Sequence, residues 1–186
     1  MESKKCIAIL IGLFLMITFV YIFGSPITGY GIYGEPNELT LKDYPYPFIK
    51  NGVYNHLNIV LDYQNSFDLG WELIEYIKDY RRTYPNILLE PIFEGNLIII
   101  GDACSNIIRA YNSEYCNNLN DNTGVIEILD NNERNILLVS GKGSGLKKAV
   151  TVLENYNFYS LKGKKAEITG NPKNIYGLNV KEYSIS

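Results

Sequence analysis

The chain has 186 residues, 46% hydrophobic and 13% aromatic, with 16 tyrosines and a single histidine. Its 17 Lys and Arg stand against 20 Asp and Glu, a formal charge of −3, and no basic run is dense enough to draw it to nucleic acid or an anionic lipid surface. One histidine and no Cys-x-x-Cys spacing leave the common zinc patterns without ligands, so no metal or cofactor is expected.

The first element is Cys6–Phe23, an uncharged run of 18 residues of which 12 are Leu, Ile, Phe or Val. As a helix it spans roughly 27 Å, close to the hydrocarbon core of a bilayer. Those 12 side chains favour insertion by about 4–7 kcal/mol. Lys4 and Lys5 precede the run, so the N-terminus is expected to stay in the cytoplasm and residues 24–186 to lie outside. The expectation is a single-pass signal anchor over residues 1–23. Two alternatives stay open: a cleaved signal peptide, and a processed pilin-like bundling helix. Residues 24–42, rich in Gly, Pro and Tyr, read as a juxtamembrane linker, and residues 43–186 as one extracytoplasmic domain.

Asp43-Tyr44-Pro45-Tyr46-Pro47-Phe48 is expected to be extended, because each Pro disfavours helix at the residue before it. Asn51-Gly52 is a turn signal. Leu57–Leu61 reads as a buried strand, and Asp68 as the N-cap of an amphipathic helix reaching about Arg82. A short strand is expected at Ile87–Leu89 and a stronger one at Leu97–Ile100. A helix over about Ser105–Asn112 and an Asn/Asp loop over 117–123 follow. Gly124–Leu129 and Ile136–Ser140 have the spacing of a β-hairpin. A helix over about Ser144–Asn155 and two closing strands, Ala166–Thr169 and Val180–Ser184, complete the pattern. Buried strands alternating with amphipathic helices predict an α/β fold, with a mixed sheet sandwiched by helices.

Few residues suggest chemistry. Gly141, Gly143 and Gly145 lie in a strand–turn–helix where backbone amides could hold a phosphate. The pattern is neither G-x-G-x-x-G nor G-x-x-x-x-G-K-[ST], and a flexible strand-to-helix turn, where Gly relieves φ strain, is the plainer reading of the glycines. Asp62, Asp68, Asp102 and Glu127 lie on or near strand ends but match no metal loop, and capping accounts for them. His56 has no nucleophile partner that the sequence names, and no G-x-S-x-G is present. No catalytic residue is therefore assigned. Cys104 and Cys116 fall in the exported part, where a disulfide persists, and are expected to pair; two unrelated buried thiols are the alternative.

The ordered set Asp43-Tyr44-Pro45-x-Pro47-Phe48, Asn51-Gly52, Asn96-Leu97-Ile98-Ile99-Ile100-Gly101-x-x-Cys104-x-Asn106, Gly124-x-Ile126-x-Ile128 and Ile136-Leu137-Leu138-Val139-Ser140-Gly141 resembles the α/β domain of archaeal S-layer proteins and their small membrane-tethered relatives. The resemblance covers roughly residues 39–170. Gly101-Asp102-Ala103 stands where that family has G-G-P, and Gly145-Leu146-Lys147 where it has D-T-R. The resemblance implies a structural or interaction role in the cell envelope, without catalysis, with membrane lipid and envelope proteins as partners. It also favours pairing of Cys104 with Cys116. The other reading, drawn from the residues themselves, is a ligand- or phosphate-binding domain using the 141–145 turn.

Overall fold

The computed structural model describes residues 38–62, 66–77, 84–89, 94–130 and 134–183. The expected membrane anchor, and the linker as far as residue 37, lie outside the described residues. No helix among the described residues is long and apolar enough to cross a membrane.

The folded body begins before Asp43. Leu39 and Leu41, expected in the linker, are buried in the main core. The Thr40 amide and hydroxyl both donate to Asp43 Oδ2 at 2.9 Å, and the Leu41 amide donates to the Gly163 carbonyl. The two leucines bracket Thr40, and the apolar area they bury outweighs the flexible composition around them.

The Tyr44–Phe48 segment is a turn and not extended, with cis peptides at Tyr44-Pro45 and Tyr46-Pro47. Proline disfavours helix here, as expected, but its tertiary amide also admits the cis form. The resulting turn buries both Tyr44 and Phe48. Asn51 and Gly52 then link β1 (Ile49–Lys50) to β2 (Val53–Tyr54), with Lys50 opposite Val53. Their φ angles of 54° and 72° are those of a type I′ hairpin turn, which this residue pair favours.

Seven strands form one mixed sheet. They are β3 (Leu57–Leu61), β4 (Asn86–Leu88), β5 (Asn96–Asp102), β6 (Gly124–Asp130), β7 (Asn135–Gly141), β8 (Lys165–Gly170) and β9 (Leu178–Tyr183), in the order β4-β3-β5-β7-β6-β8-β9. The first four in that order are parallel, while β6, β8 and β9 add antiparallel pairs. The expected hairpin is present, closing at Asp130 opposite Asn135. Strands β3, β5 and β7 are nearly continuous runs of aliphatic residues because helices cover both of their faces.

On one face, α1 (Phe67–Ile77) and α4 (Gly145–Glu154) pack together over Ile59, Ile98, Ile100, Leu137 and Val139. On the other, α2 (Asn106–Tyr111) and α3 (Tyr115–Asn118) cover Val60, Leu97, Ile99, Ile136 and Leu138. Alternate residues of each strand thus enter different cores. Asp68 does not cap α1 but lies in its first turn, where a carboxylate still suits the helix dipole. The expected end of that helix near Arg82 falls outside the described residues. Part of the expected 117–123 loop is helical, because Tyr115 and Leu119 are buried and hold α3 against the sheet.

Candidate functional site

The sheet has two ends, and the residues singled out from the sequence divide between them. At the C-terminal end of β7, Gly141, Gly143 and Gly145 form the turn into α4. A Cβ on Gly145 would lie 2.0 Å from the Thr123 carbonyl oxygen, and one on Gly141 2.4 Å from Gly145 C. A Cβ on Gly124, at the start of β6, would lie 2.3 Å from the Gly145 oxygen. These three glycines let backbones approach where no side chain fits. Gly143 has φ +54°, with Asn122 Oδ1 2.8 Å from where its Cβ would be. That Asn122 oxygen accepts from the Ser144 amide at 3.1 Å and the Ser144 hydroxyl at 3.0 Å. The buried Lys148 ammonium donates to the Asn122 carbonyl. The donor that an anion would use at Ser144 is thus engaged by the chain itself.

Two of the four carboxylates stand at the same end of the sheet: Asp62 follows β3, and Asp102 ends the neighbouring β5, where its Oδ1 accepts from the Cys104 amide at 2.8 Å. Asp68 lies on α1. Glu127 lies within β6 and accepts from the Tyr115 hydroxyl. Burial, and then that hydrogen bond, push the Tyr115 phenol far above its ordinary range. Among the described residues no three His, Cys, Asp or Glu side chains could hold a metal ion. Cys104 and Cys116 form a disulfide with Cα atoms 4.5 Å apart, tying the exposed turn after β5 to α3. Closing a loop of this length stabilises by roughly 3 kcal/mol in the chain-entropy model.

His56 lies at the opposite, N-terminal end of the parallel strands, beside an open cleft of about 890 Å³. An asparagine begins or nearly begins each of four adjacent strands there. They are Asn86 of β4, Asn58 of β3, Asn96 of β5 and Asn135 of β7. Their side chains are linked: Asn86 Nδ2 donates to Asn58 Oδ1 at 3.1 Å, and Asn135 Nδ2 to Asn96 Oδ1 at 2.9 Å. Asn58 Nδ2 donates to the Glu94 carbonyl and Asn96 Nδ2 to the Asn55 carbonyl, so the loops before β3 and β5 are bound into the same row. Tyr54, Tyr84, Glu94 and Arg134 complete the cleft walls.

Two residues of these loops have left-handed backbone, His56 at φ +48° and Gly95 at φ +76°. A Cβ on Gly95 would lie 2.3 Å from the His56 carbonyl oxygen. That oxygen accepts from the Asn96 amide at 3.0 Å, which holds the two loops together. Beside the cleft, Tyr84 stacks on Trp71 with centroids 5.6 Å apart, and Trp71 stacks on Phe67 at 6.1 Å. All three rings are exposed. Of these residues, His56 and Asn96 stand out in the sequence. A further signal was present, since Asn58-Ile-Val, Asn86-Ile-Leu, Asn96-Leu-Ile and Asn135-Ile-Leu repeat an asparagine ahead of an aliphatic pair.

No protein-family model and no curated protein matches the chain. A solved structure described as "Structure of CpGH84D" is similar over 72% of this chain, with 18% identity and a TM-score of 0.43. The match spans 23% of that protein's length, and at this level of likeness it supports no conclusion about function.

Proposed function

We propose that the chain is a membrane-anchored cell-envelope protein whose extracytoplasmic α/β domain makes structural or binding contacts, in the manner of S-layer-related domains. The observation that carries this reading is the Cys104–Cys116 disulfide on an exposed turn, a bond that persists in oxidising compartments and is rare in the cytosol. The uncharged run Cys6–Phe23 behind Lys4 and Lys5 supplies the anchor, with membrane lipid as its partner. Residues 24–186 carry 15 basic against 19 acidic residues, a balance that suits envelope proteins better than nucleic acid as partners.

The test is fractionation of cells expressing the chain, with protease shaving of intact cells and non-reducing mass spectrometry. The reading expects the full-length chain in the membrane fraction, peptides of residues 43–183 released by shaving, and Cys104 and Cys116 recovered as one linked pair. A chain found free in the cytosol with both thiols alkylatable refutes it. An intact mass lacking the N-terminal residues would replace the anchor with a cleaved signal or a pilin-like leader.

A further inference from the structure

We propose that the asparagine-lined cleft at the N-terminal end of the parallel strands binds a neutral oligosaccharide. The inference does not depend on the membrane anchor, because it concerns only the folded domain.

The chemistry of the walls selects the ligand class. A side-chain amide donates through nitrogen and accepts through oxygen at once, matching vicinal hydroxyls that each do both. Four such amides stand in a row across β4, β3, β5 and β7; Asn58 and Asn96 are buried and committed to their neighbours, so the more exposed Asn86 and Asn135 are the ones a ligand would reach. The hydrogen bonds among them and to the flanking carbonyls fix their orientation, so little rotamer freedom remains to be lost on binding. An anion would need an excess of cations, but among the described residues lining the cleft Arg134 is matched by Glu94. A metal ion would need several carboxylates, and among the described residues Glu94 is the one carboxylate lining the cleft. An apolar ligand would find walls made mostly of amides, hydroxyls and charged groups.

The second observation is the aromatic row. Tyr84 both lines the cleft and stacks on Trp71, so the polar wall continues into a series of exposed flat rings. A pyranose offers one face of C–H groups and a rim of hydroxyls, which suits an aromatic surface beside an amide row. The left-handed backbone at His56, a residue with a Cβ, adds a third observation, since such conformations persist where the surroundings hold them and cluster at binding sites. The volume of about 890 Å³ lies within the range of about 300–1,000 Å³ typical of small-molecule sites and is far larger than one ion needs.

The chain has one tryptophan, Trp71, and its contact with Tyr84 makes its emission a reporter of the cleft. The full-length chain, purified without glycoside detergents, would be titrated with maltotriose, cellotriose, chitotriose and mannotriose. ADP and a heparin disaccharide serve as charged probes. Trp71 fluorescence and calorimetry give the affinity. The expected result is saturable one-to-one binding of at least one neutral trisaccharide, weakened about tenfold or more by Asn86→Ala and by Tyr84→Ala. Tyr176→Ala, at an exposed aromatic cluster elsewhere, should leave affinity unchanged. Thermal unfolding of each variant separates lost binding from lost folding, and Asn86 is exposed enough for its truncation to spare the fold. The proposal is overturned if no neutral saccharide binds up to about 10 mM, well above millimolar dissociation constants. It is also overturned if only the charged probes bind, or if binding survives both cleft substitutions. None of these outcomes bears on the fractionation result, so the two readings fail separately.

Discussion

Gly145→Ala should be among the most damaging single-methyl substitutions in this domain. The added Cβ would lie 2.0 Å from the Thr123 oxygen, 2.3 Å from Thr123 C and 2.8 Å from the Gly124 nitrogen. Ordinary contact begins near 3.4 Å, so the 123–124 backbone or α4 must retreat by about 1.4 Å. All three neighbours are backbone, and the Thr123 carbonyl already accepts from the Lys142 amide at 3.1 Å. Overpacking of this kind costs about 3 kcal/mol. The strained hydrogen bond adds about 1 kcal/mol, and the better helix propensity of alanine returns about 1 kcal/mol. The expected net loss is therefore about 3 kcal/mol. Gly143→Ala is the internal reference. Its φ of +54° costs about 1–2 kcal/mol in a residue with a Cβ, and the neighbour that must move is the Asn122 side chain, whose two hydrogen bonds from Ser144 are exposed and can be replaced by water. Urea unfolding of the full chain, followed by circular dichroism, should place Gly145→Ala clearly below Gly143→Ala. A loss under about 1 kcal/mol for Gly145→Ala would refute the close approach. Were the turn a phosphate cradle instead, the substitution would abolish stabilisation by added phosphate and leave the ligand-free protein nearly intact.

Two further substitutions test the core on the same face of the sheet. Tyr44→Phe should stabilise the domain by about 1 kcal/mol, because the buried hydroxyl has no hydrogen-bond partner among the described residues. The edge-on contact of that ring with Tyr156, at 5.0 Å, would survive, and the urea midpoint should rise with an unchanged slope. A drop in midpoint would mean that the hydroxyl is bonded in solution. Glu154→Gln should also stabilise, but only above acid pH. Partial burial, then the charge of Glu72, raise the Glu154 carboxyl above its ordinary 4.5, against the pull of Lys147. The native state therefore keeps its proton to higher pH than the unfolded chain does, and stability falls as pH rises from 4.5 through the raised value. The gain from glutamine should be present near neutral pH and vanish below about pH 4. An equal gain at both would sink this account.

Much of the secondary structure was written locally. The aliphatic runs Leu57–Leu61, Leu97–Ile100 and Ile136–Ser140 became strands because nothing else of that length buries on two sides. Asn51-Gly52 became a type I′ turn because both residues tolerate positive φ. The 124–140 hairpin and α4 likewise follow from spacing over a few residues. The three glycines of the 141–145 turn were visible too, but their purpose was not. It depends on Thr123 and Gly124, which arrive from a different strand.

The residue order by itself determined most of the strands and helices and which of their faces are apolar. Tertiary structure alone decided that β4 lies beside β3 and β7 beside β5, and therefore that Asn58 meets Asn86 while Asn96 meets Asn135. It also drew Leu39 and Leu41 into the core and folded the proline segment into a turn. The physical reason is range. Periodicity and turn chemistry act over a few neighbouring residues, whereas the register between strands is set by burying two whole faces at once. A one-residue slip would turn every aliphatic side chain to the wrong face, and that constraint leaves no trace in any single segment.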